Sequence, residues 1–305
     1  MDPDELYTLR AQYWLGHYDL CLTEGRSLIR RPMAPHLKIE REEFVLRAQL
    51  ALGEFATVIK NASGNGKAAS IRALGLRAQY ESPNATDDDK ATIVAQFQSL
   101  LADNESANNA SVQLTACHVF LLQGEMTREA LQCVHLGLTM EHLAMSLQLY
   151  LKMDRLDLAE EQLGLMKQGD EDAILTQLCS AYLAIATGRS KSDDAIYSLN
   201  SLMEQYGPSP LLSNCMAVSQ IVGGKYEKAE GLLKETLDSH PGDVDAMVNL
   251  VVVYQHLGNK SKELEEVLDK LRKEHKDHFF VKGLERVEGA LEREAGKYVT
   301  GVAAS

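Results

Sequence analysis

Lys67, in the stretch NASGNGKAAS, invites a phosphate-loop reading, because Gly66 and Lys67 could close the pattern GxxxxGK[ST], whose backbone amides cradle phosphates. The pattern fails at both ends. Asn61 stands where the first glycine is needed, Ala68 where the hydroxyl is needed, and no strand-forming run leads in. A polar loop between helices accounts for it better. Metal chemistry would fall to His275 and His278 in HKDH, or to Cys133, His135 and His142 in CVHLGLTMEH. Residues at i and i+3 can meet on a helix, but neither group fixes a third ligand and there is no HExxH. The five cysteines, Cys21, Cys117, Cys133, Cys179 and Cys215, are scattered singly, without a CxxC pair. That pattern suits small core residues in a reducing compartment, not a disulfide framework or a thiolate zinc site. Without GxSxG or an acid pair in a definable cleft, nucleophilic and carboxylate catalysis have no foothold. The sequence predicts a non-enzyme with no catalytic residue, no cofactor and no metal.

Charge narrows the partners. The 305-residue chain carries 44 acidic against 31 basic residues, a net charge of −13, and has no block of like charge. Phosphate backbones and anionic headgroups are repelled on average, so direct nucleic-acid binding is not expected. RSLIRRP, Arg26 to Pro32, is the densest basic spot and reads as a solvated helix end. The opening MDPDELYTLRAQYWLG has neither the basic start nor the apolar core of a signal or transit peptide. No run reaches the roughly 18 to 20 apolar residues of a membrane span. A soluble, cytoplasmic chain is expected, in which the sequons at Asn61, Asn84, Asn104 and Asn109 are chance matches in polar loops.

The elements that must position any site are helices. Aromatic residues make up only 6% of the chain while Ala, Leu, Glu and Gln recur, which disfavours strands. GGKYEKAEGLLKETLDSHP is amphipathic, with Tyr226, Ala229, Leu232, Leu233 and Leu237 on one side, and DVDAMVNLVVVYQHLGN follows it. Gly224 before the first helix recurs as Gly258 after the second, 34 residues on, the tetratricopeptide period. Ala229 sits in the apolar stripe where a lone helix would gain more from leucine. A close crossing with a neighbouring helix explains its size. Ala195, Ala159 and Ala130 hold the same place in SDDAIYSLNSLMEQYGPSP, MDRLDLAEEQLGLM and TREALQCVHLGL. In clean repeats the tyrosine-type residue precedes the small one by nine positions, but Tyr182 precedes Ala195 by thirteen, so GRSKSDD adds about one helical turn or a longer loop.

The fold expected is all-α: a tetratricopeptide-repeat α-solenoid, a curved superhelix of antiparallel helix pairs. It forms a single domain over 1–305, with its clearest repeats at 111–275 and looser ones before them. A capping helix over about 279–294 is expected to turn Phe280, Leu284, Val287 and Leu291 inward. Such an array offers a groove lined by the first helix of each pair. Projecting the repeat puts Val119, Leu122, Gln148, Leu151, Val218, Ile221, Val222, Val252 and Gln255 there, all of which could instead pack between helices. Asn249 falls at a position used by chaperone-tail clamps, but its neighbours Val218, Val248 and Val252 are apolar where a clamp needs cations. A lasting protein partner suits this groove better than a free chain end. A peptide-binding adaptor or co-chaperone is the alternative.

The succession YTLRAQYWLGHYDLCL, EREEFVLRAQLALGEF, MDRLDLAEEQLGLM, DEDAILTQLCSAYLAIATG and KYEKAEGLLKETL with NLVVVYQHLG resembles the epsilon subunit of coatomer, from about Leu6 to Leu291. The resemblance implies a structural subunit of the coat of Golgi transport vesicles. It implies binding to the C-terminal region of the alpha subunit, service in Golgi-to-ER retrograde and intra-Golgi transport, and peripheral residence on Golgi membranes without insertion. It supplies no short contact motif, so the groove residues rest on the repeat projection alone.

Overall fold

The computed structural model describes residues 4–64, 66–124 and 126–297. All its regular structure is helical, and no strand occurs among the described residues. The helices run as hairpins: α1 (Tyr7–Trp14) with α2 (Tyr18–Ser27), α3 (Pro35–Ala51) with α4 (Phe55–Ala62), and α5 (Ala69–Glu81) with α6 (Asp87–Ala102). After the single turn α7 (Asn104–Ala107) come α8 (Ala110–Gln123) with α9 (Thr127–Val134), α10 (Met140–Lys152) with α11 (Leu156–Gly169), then α12 (Ile174–Thr187) and α13 (Ser192–Tyr206). Next are α14 (Pro210–Val222) with α15 (Tyr226–Ser239), α16 (Val244–Leu257) with α17 (Ser261–Glu274), and α18 (Phe279–Gly296).

Local chemistry sets the ends. In ATDDDK, Thr86 Oγ1 accepts from the Asp89 amide at 3.2 Å while Asp89 Oδ2 accepts from the Thr86 amide at 3.0 Å, a reciprocal cap that opens α6. Three aspartates in that first turn also suit the positive end of the helix dipole. The interhelical turn before α15 needs a left-handed residue, supplied by Gly224 at φ +77°. The turn between α10 and α11 makes the same demand, but Asp154 meets it at φ +56°.

Where the sequence predicts one array, the contacts fall into two compact units. One comprises residues up to Thr187 together with Tyr197–Ser209, and the other comprises Gly188–Ile196 with the chain from Pro210 onward. The extra residues of GRSKSDD, which form a short 3-10 turn at Arg189–Lys191, lie at this division.

In the first unit the first helices of successive pairs stack on one another, α1 on α3, α3 on α5, α5 on α8, α8 on α10 and α10 on α12. Behind them the second helices complete the cores, such as that of Phe97, Val112, Cys117, Phe120, Ala130 and Val134. The row also returns on itself. α1 touches α12, Tyr7 and Tyr206 share a hydroxyl–hydroxyl hydrogen bond of 2.7 Å, and Ser209 Oγ donates to the Leu15 carbonyl.

In the second unit α14 stacks on α16, and α15 fits between them with Ala229, Leu233 and Leu250 in its core. Asn214 Nδ2 donates to Asp243 Oδ1 at 3.0 Å and Asn249 Nδ2 to Asn214 Oδ1 at 3.1 Å, tying α16 and its cap to α14. α18 closes the described chain. Val281 is buried with Met247, Val251 and Leu271, and Phe280 packs beside them, whereas Val287 and Leu291 stand 61% and 69% exposed. The apolar stripe of α18 therefore continues past the core that its first turns cover.

Ala130, Ala159, Ala195 and Ala229 are all fully enclosed. Two glycines serve the same end in the earlier repeats. A Cβ on Gly75 in α5 would come within 2.7 Å of Ala62 Cβ in α4, and one on Gly25 in α2 would run into Val45 of α3.

Candidate partner-binding concavity

The inner helices of the first unit enclose a cavity of about 520 Å³, lined by Arg10 and Trp14 of α1, Ile39, Glu40, Glu43, Phe44 and Arg47 of α3, Ser70 of α5, Ser111 and Leu114 of α8, and Met140 and Glu141 of α10. A second cavity of about 160 Å³ shares Trp14, Arg47, Leu114 and Glu141 with the first and adds Tyr13, His118, Gln148 and Tyr182. The two form one continuous inner surface. On α3, residues 40, 43, 44 and 47 share a helical face, and that face looks inward.

At the centre lies a charged pair joined across the row. Arg47 Nη2 and Nη1 donate to Glu141 Oε1 and Oε2 at 2.6 and 3.1 Å, and Trp14 Nε1 donates to Glu141 Oε1 at 2.7 Å. The guanidinium also lies over the Tyr13 ring at 4.5 Å and the Phe44 ring at 4.8 Å. Burial alone would lift the Glu141 carboxyl. The Arg47 charge and the hydrogen bonds from Arg47 and Trp14 outweigh burial and hold it below its ordinary value. Burial likewise works against the Arg47 charge, yet Glu141 keeps the guanidinium even harder to deprotonate than usual. Nearby, burial and the Arg77 and Arg47 charges push the His118 imidazole well below its ordinary value, so it is neutral at pH 7. One-sided removal from such a pair is costly, whereas exposed pairs such as Lys225–Asp193 are screened by solvent.

The sequence-predicted groove residues are spread differently. Gln148 is exposed and lines the smaller cavity. Leu151 is partly buried and packs into the core of Leu147, Ala159 and Leu163. Leu122 is 54% exposed near the end of α8, away from both cavities. Val119 is corrected outright: it is fully enclosed in the core between α8 and its neighbours and lines no groove. In the second unit Val218, Ile221 and Val222 of α14 and Val252 of α16 are partly buried, and Gln255 is exposed.

The Val119 error has a simple origin. Counting six residues back from the left-handed residue that follows the first helix of a pair, at 16, 53, 124, 154, 188, 224 and 258 (α5 is followed by none), gives Arg10, Arg47, His118, Gln148, Tyr182, Val218 and Val252. The first five all line the cavities of the first unit. Val119 is one residue, about 100° of helix, beyond His118. α8 is apolar on almost every side, so its pattern gave no warning. The same offset applied to α1 and α3 would have identified Arg10 and Arg47.

Most of the other side chains singled out in the sequence are engaged in structure, although His275 Nε2 is buried without a hydrogen bond. Lys67 pairs with Glu42. His142 contacts Thr139 Oγ1 at 2.7 Å and Gln113 Oε1 at 2.9 Å through its two ring nitrogens, His135 contacts the Gln132 carbonyl, and His278 caps α18. No group of three or more His, Cys, Asp or Glu able to hold a metal occurs among the described residues. No helix among them is long and apolar enough to cross a membrane.

Stacked helical hairpins with an inner concavity define a scaffold of the tetratricopeptide α-solenoid class. A tetratricopeptide repeat protein from Parabacteroides merdae shares this fold, with a TM-score of 0.58 at 14% identity over 88% of this chain and 96% of that one. A model of the coatomer epsilon subunit family matches residues 2–299, and the chain belongs to that family. Coatomer subunit epsilon-1 of Arabidopsis thaliana is 35% identical over 295 residues, 95% of this chain and 96% of its own. The coatomer epsilon subunit of Dictyostelium discoideum is 29% identical, over 96% and 98% of the two chains. Membership makes this a structural, non-enzymatic subunit of the coatomer coat, working in vesicle transport.

Proposed function

We propose that this chain stabilises the coat by holding the alpha subunit of coatomer, through that subunit's C-terminal region, against the inner surface of its helical repeats. Through that contact it would join the rest of the coat on Golgi membranes, in Golgi-to-ER retrograde and intra-Golgi transport, as a peripheral component. The observation that carries the reading is the concavity of about 520 Å³ in the first unit, walled by the inner helices and open to a partner. Its mixture of apolar walls and a pre-paired Arg47–Glu141 centre suits a lasting interface, where the groups that stay buried are already neutralised. The repeat-projected residues Leu122, Gln148 and Leu151 in the first unit, and Val218, Ile221, Val222, Val252 and Gln255 in the second, are proposed as partner contacts of their own units.

The test is co-expression of the full chain with the C-terminal region of the alpha subunit. A near-stoichiometric complex that survives gel filtration at physiological salt is expected. Recovery of the two chains separately would overturn the reading. A chaperone-tail adaptor draws less support, because Asn249, the residue at the clamp-like position, is committed to Asn214.

A further inference from the structure

The charges around the larger cavity do not balance. Arg47 is paired with Glu141, and Arg10 is paired with Glu40 at 2.8 Å and Asp4 at 2.6 Å. Glu43, between these pairs on the inner face of α3, has no ion-pair partner among the described residues, although it is partly buried. Beside it are two hydroxyls. Ser70 is 1% exposed, lines the cavity, and its Oγ makes no hydrogen bond of ordinary geometry. Ser111 lines the same cavity from α8. Both hydroxyls lie close enough to the Glu43 carboxylate to temper its rise by hydrogen bonding, so what the partly buried carboxylate lacks is an ion-pair cation rather than a neutral donor.

We infer that this pocket receives the side chain of a lysine presented by the partner polypeptide, with Glu43 as its counter-ion. The inference rests on the reading of the concavity as the partner surface. An ammonium has three donors and no acceptor, and the pocket offers three acceptors: the Glu43 carboxylate, Ser70 Oγ and Ser111 Oγ. Ile39, Leu114 and Met140 line the approach and match a methylene stem, which can lie along apolar surface while its charge reaches the polar end. Burial, the leading influence on Glu43, raises its carboxyl above the ordinary value, with Glu40 adding to the rise and the two serines and Arg47 tempering it. The free protein therefore holds a destabilised carboxylate that an arriving cation relieves, so the pocket contributes to holding a cationic partner and rejects an acidic one.

The test uses the full chain and the recombinant C-terminal region of the alpha subunit, with the dissociation constant measured by calorimetry at two salt concentrations. Glu43→Gln is expected to weaken binding about tenfold or more and to flatten its salt dependence, while raising the melting temperature of the free chain. Acetylation footprinting should find one partner lysine protected in the wild-type complex and reactive with Glu43→Gln. Ile39→Trp, which fills the mouth of the same cavity, separates the two levels of the argument. If it binds as wild type does, the concavity is not the partner surface. If it binds weakly while Glu43→Gln binds as wild type, the surface stands and the lysine assignment falls. Unchanged lysine reactivity also overturns the assignment.

Discussion

Replacing Arg47 by methionine tests what joins α3 to α10. The pair's side chains are only 13% and 19% exposed, its two hydrogen bonds are 2.6 and 3.1 Å, and its partners are 94 residues apart in sequence. For charges about 4 Å apart at an effective dielectric near 20, the attraction is about 4 kcal/mol. Desolvation of the two ions offsets most of it, so the intact pair is close to neutral in net stability. Methionine keeps much of the stem's packing against Tyr13 and Phe44 but leaves Glu141 buried with Trp14 Nε1 as its remaining donor from this network. Stranding one buried charge costs about 3–5 kcal/mol, and the residual exposure of Glu141 favours the lower end. At roughly 2 °C per kcal/mol for a chain of this size, the melting temperature should fall by about 6 °C or more.

The double variant Arg47→Met/Glu141→Leu removes both charges and should return to within about 1 kcal/mol of wild type, giving a large coupling in a double-mutant cycle read by urea unfolding. The pH dependence carries a sign. In the wild type the depressed Glu141 carboxyl contributes stability that is complete above its ordinary value of 4.5 and is lost as pH falls through its lower folded value. In Arg47→Met the opposition to burial falls to the Trp14 hydrogen bond and the His142 interaction, so the folded carboxyl rises and protonation relieves the variant as pH falls. The gap between the two proteins should therefore be widest near neutral pH and shrink in acid. A melting temperature unchanged in Arg47→Met, or a double variant whose loss is the sum of the singles, would refute the reasoning.

Ala229→Leu should overpack the fully enclosed site between α14 and α16 and lower stability by about 1–3 kcal/mol, and an unchanged thermal transition would show that the crossing has slack. Asp154→Gly should stabilise by about 0.5–1 kcal/mol, because a left-handed φ of +56° strains an L-residue but not glycine; a lower midpoint in urea would mean that the aspartate side chain holds the turn. Burial leads in depressing the imidazoles of His17, His118 and His142, so their contribution is complete above the ordinary value of 6.5 and declines as pH falls below it. His118→Gln should reduce the slope of stability against pH below 6.5 by up to about 1.4 kcal/mol per unit, and an identical slope would show that His118 does not titrate on unfolding.

What the sequence makes legible here is what neighbours a few residues apart decide. Ala229 within its apolar stripe and Gly224 at its turn betray hairpins because each acts over a turn or two of helix. The centre of the candidate site depends instead on Trp14 reaching Glu141 across 127 residues and Arg47 reaching it across 94, and no local pattern encodes either meeting. They meet because each hairpin adds a small rotation to the last until, within the first unit, α1 lies against α12 and the segment around Tyr206. A repeat with a fixed offset still carries information about such a centre. Six residues before each left-handed turn between paired helices the chain places arginine twice, then histidine, glutamine and tyrosine in the first unit, but valine at both positions in the second. The recurrence therefore separates an inner face built around buried polar groups from one built on apolar packing. That contrast supports the proposed charge-selective recognition by the first unit, where Glu43, one turn from Arg47, has no ion-pair partner among the described residues.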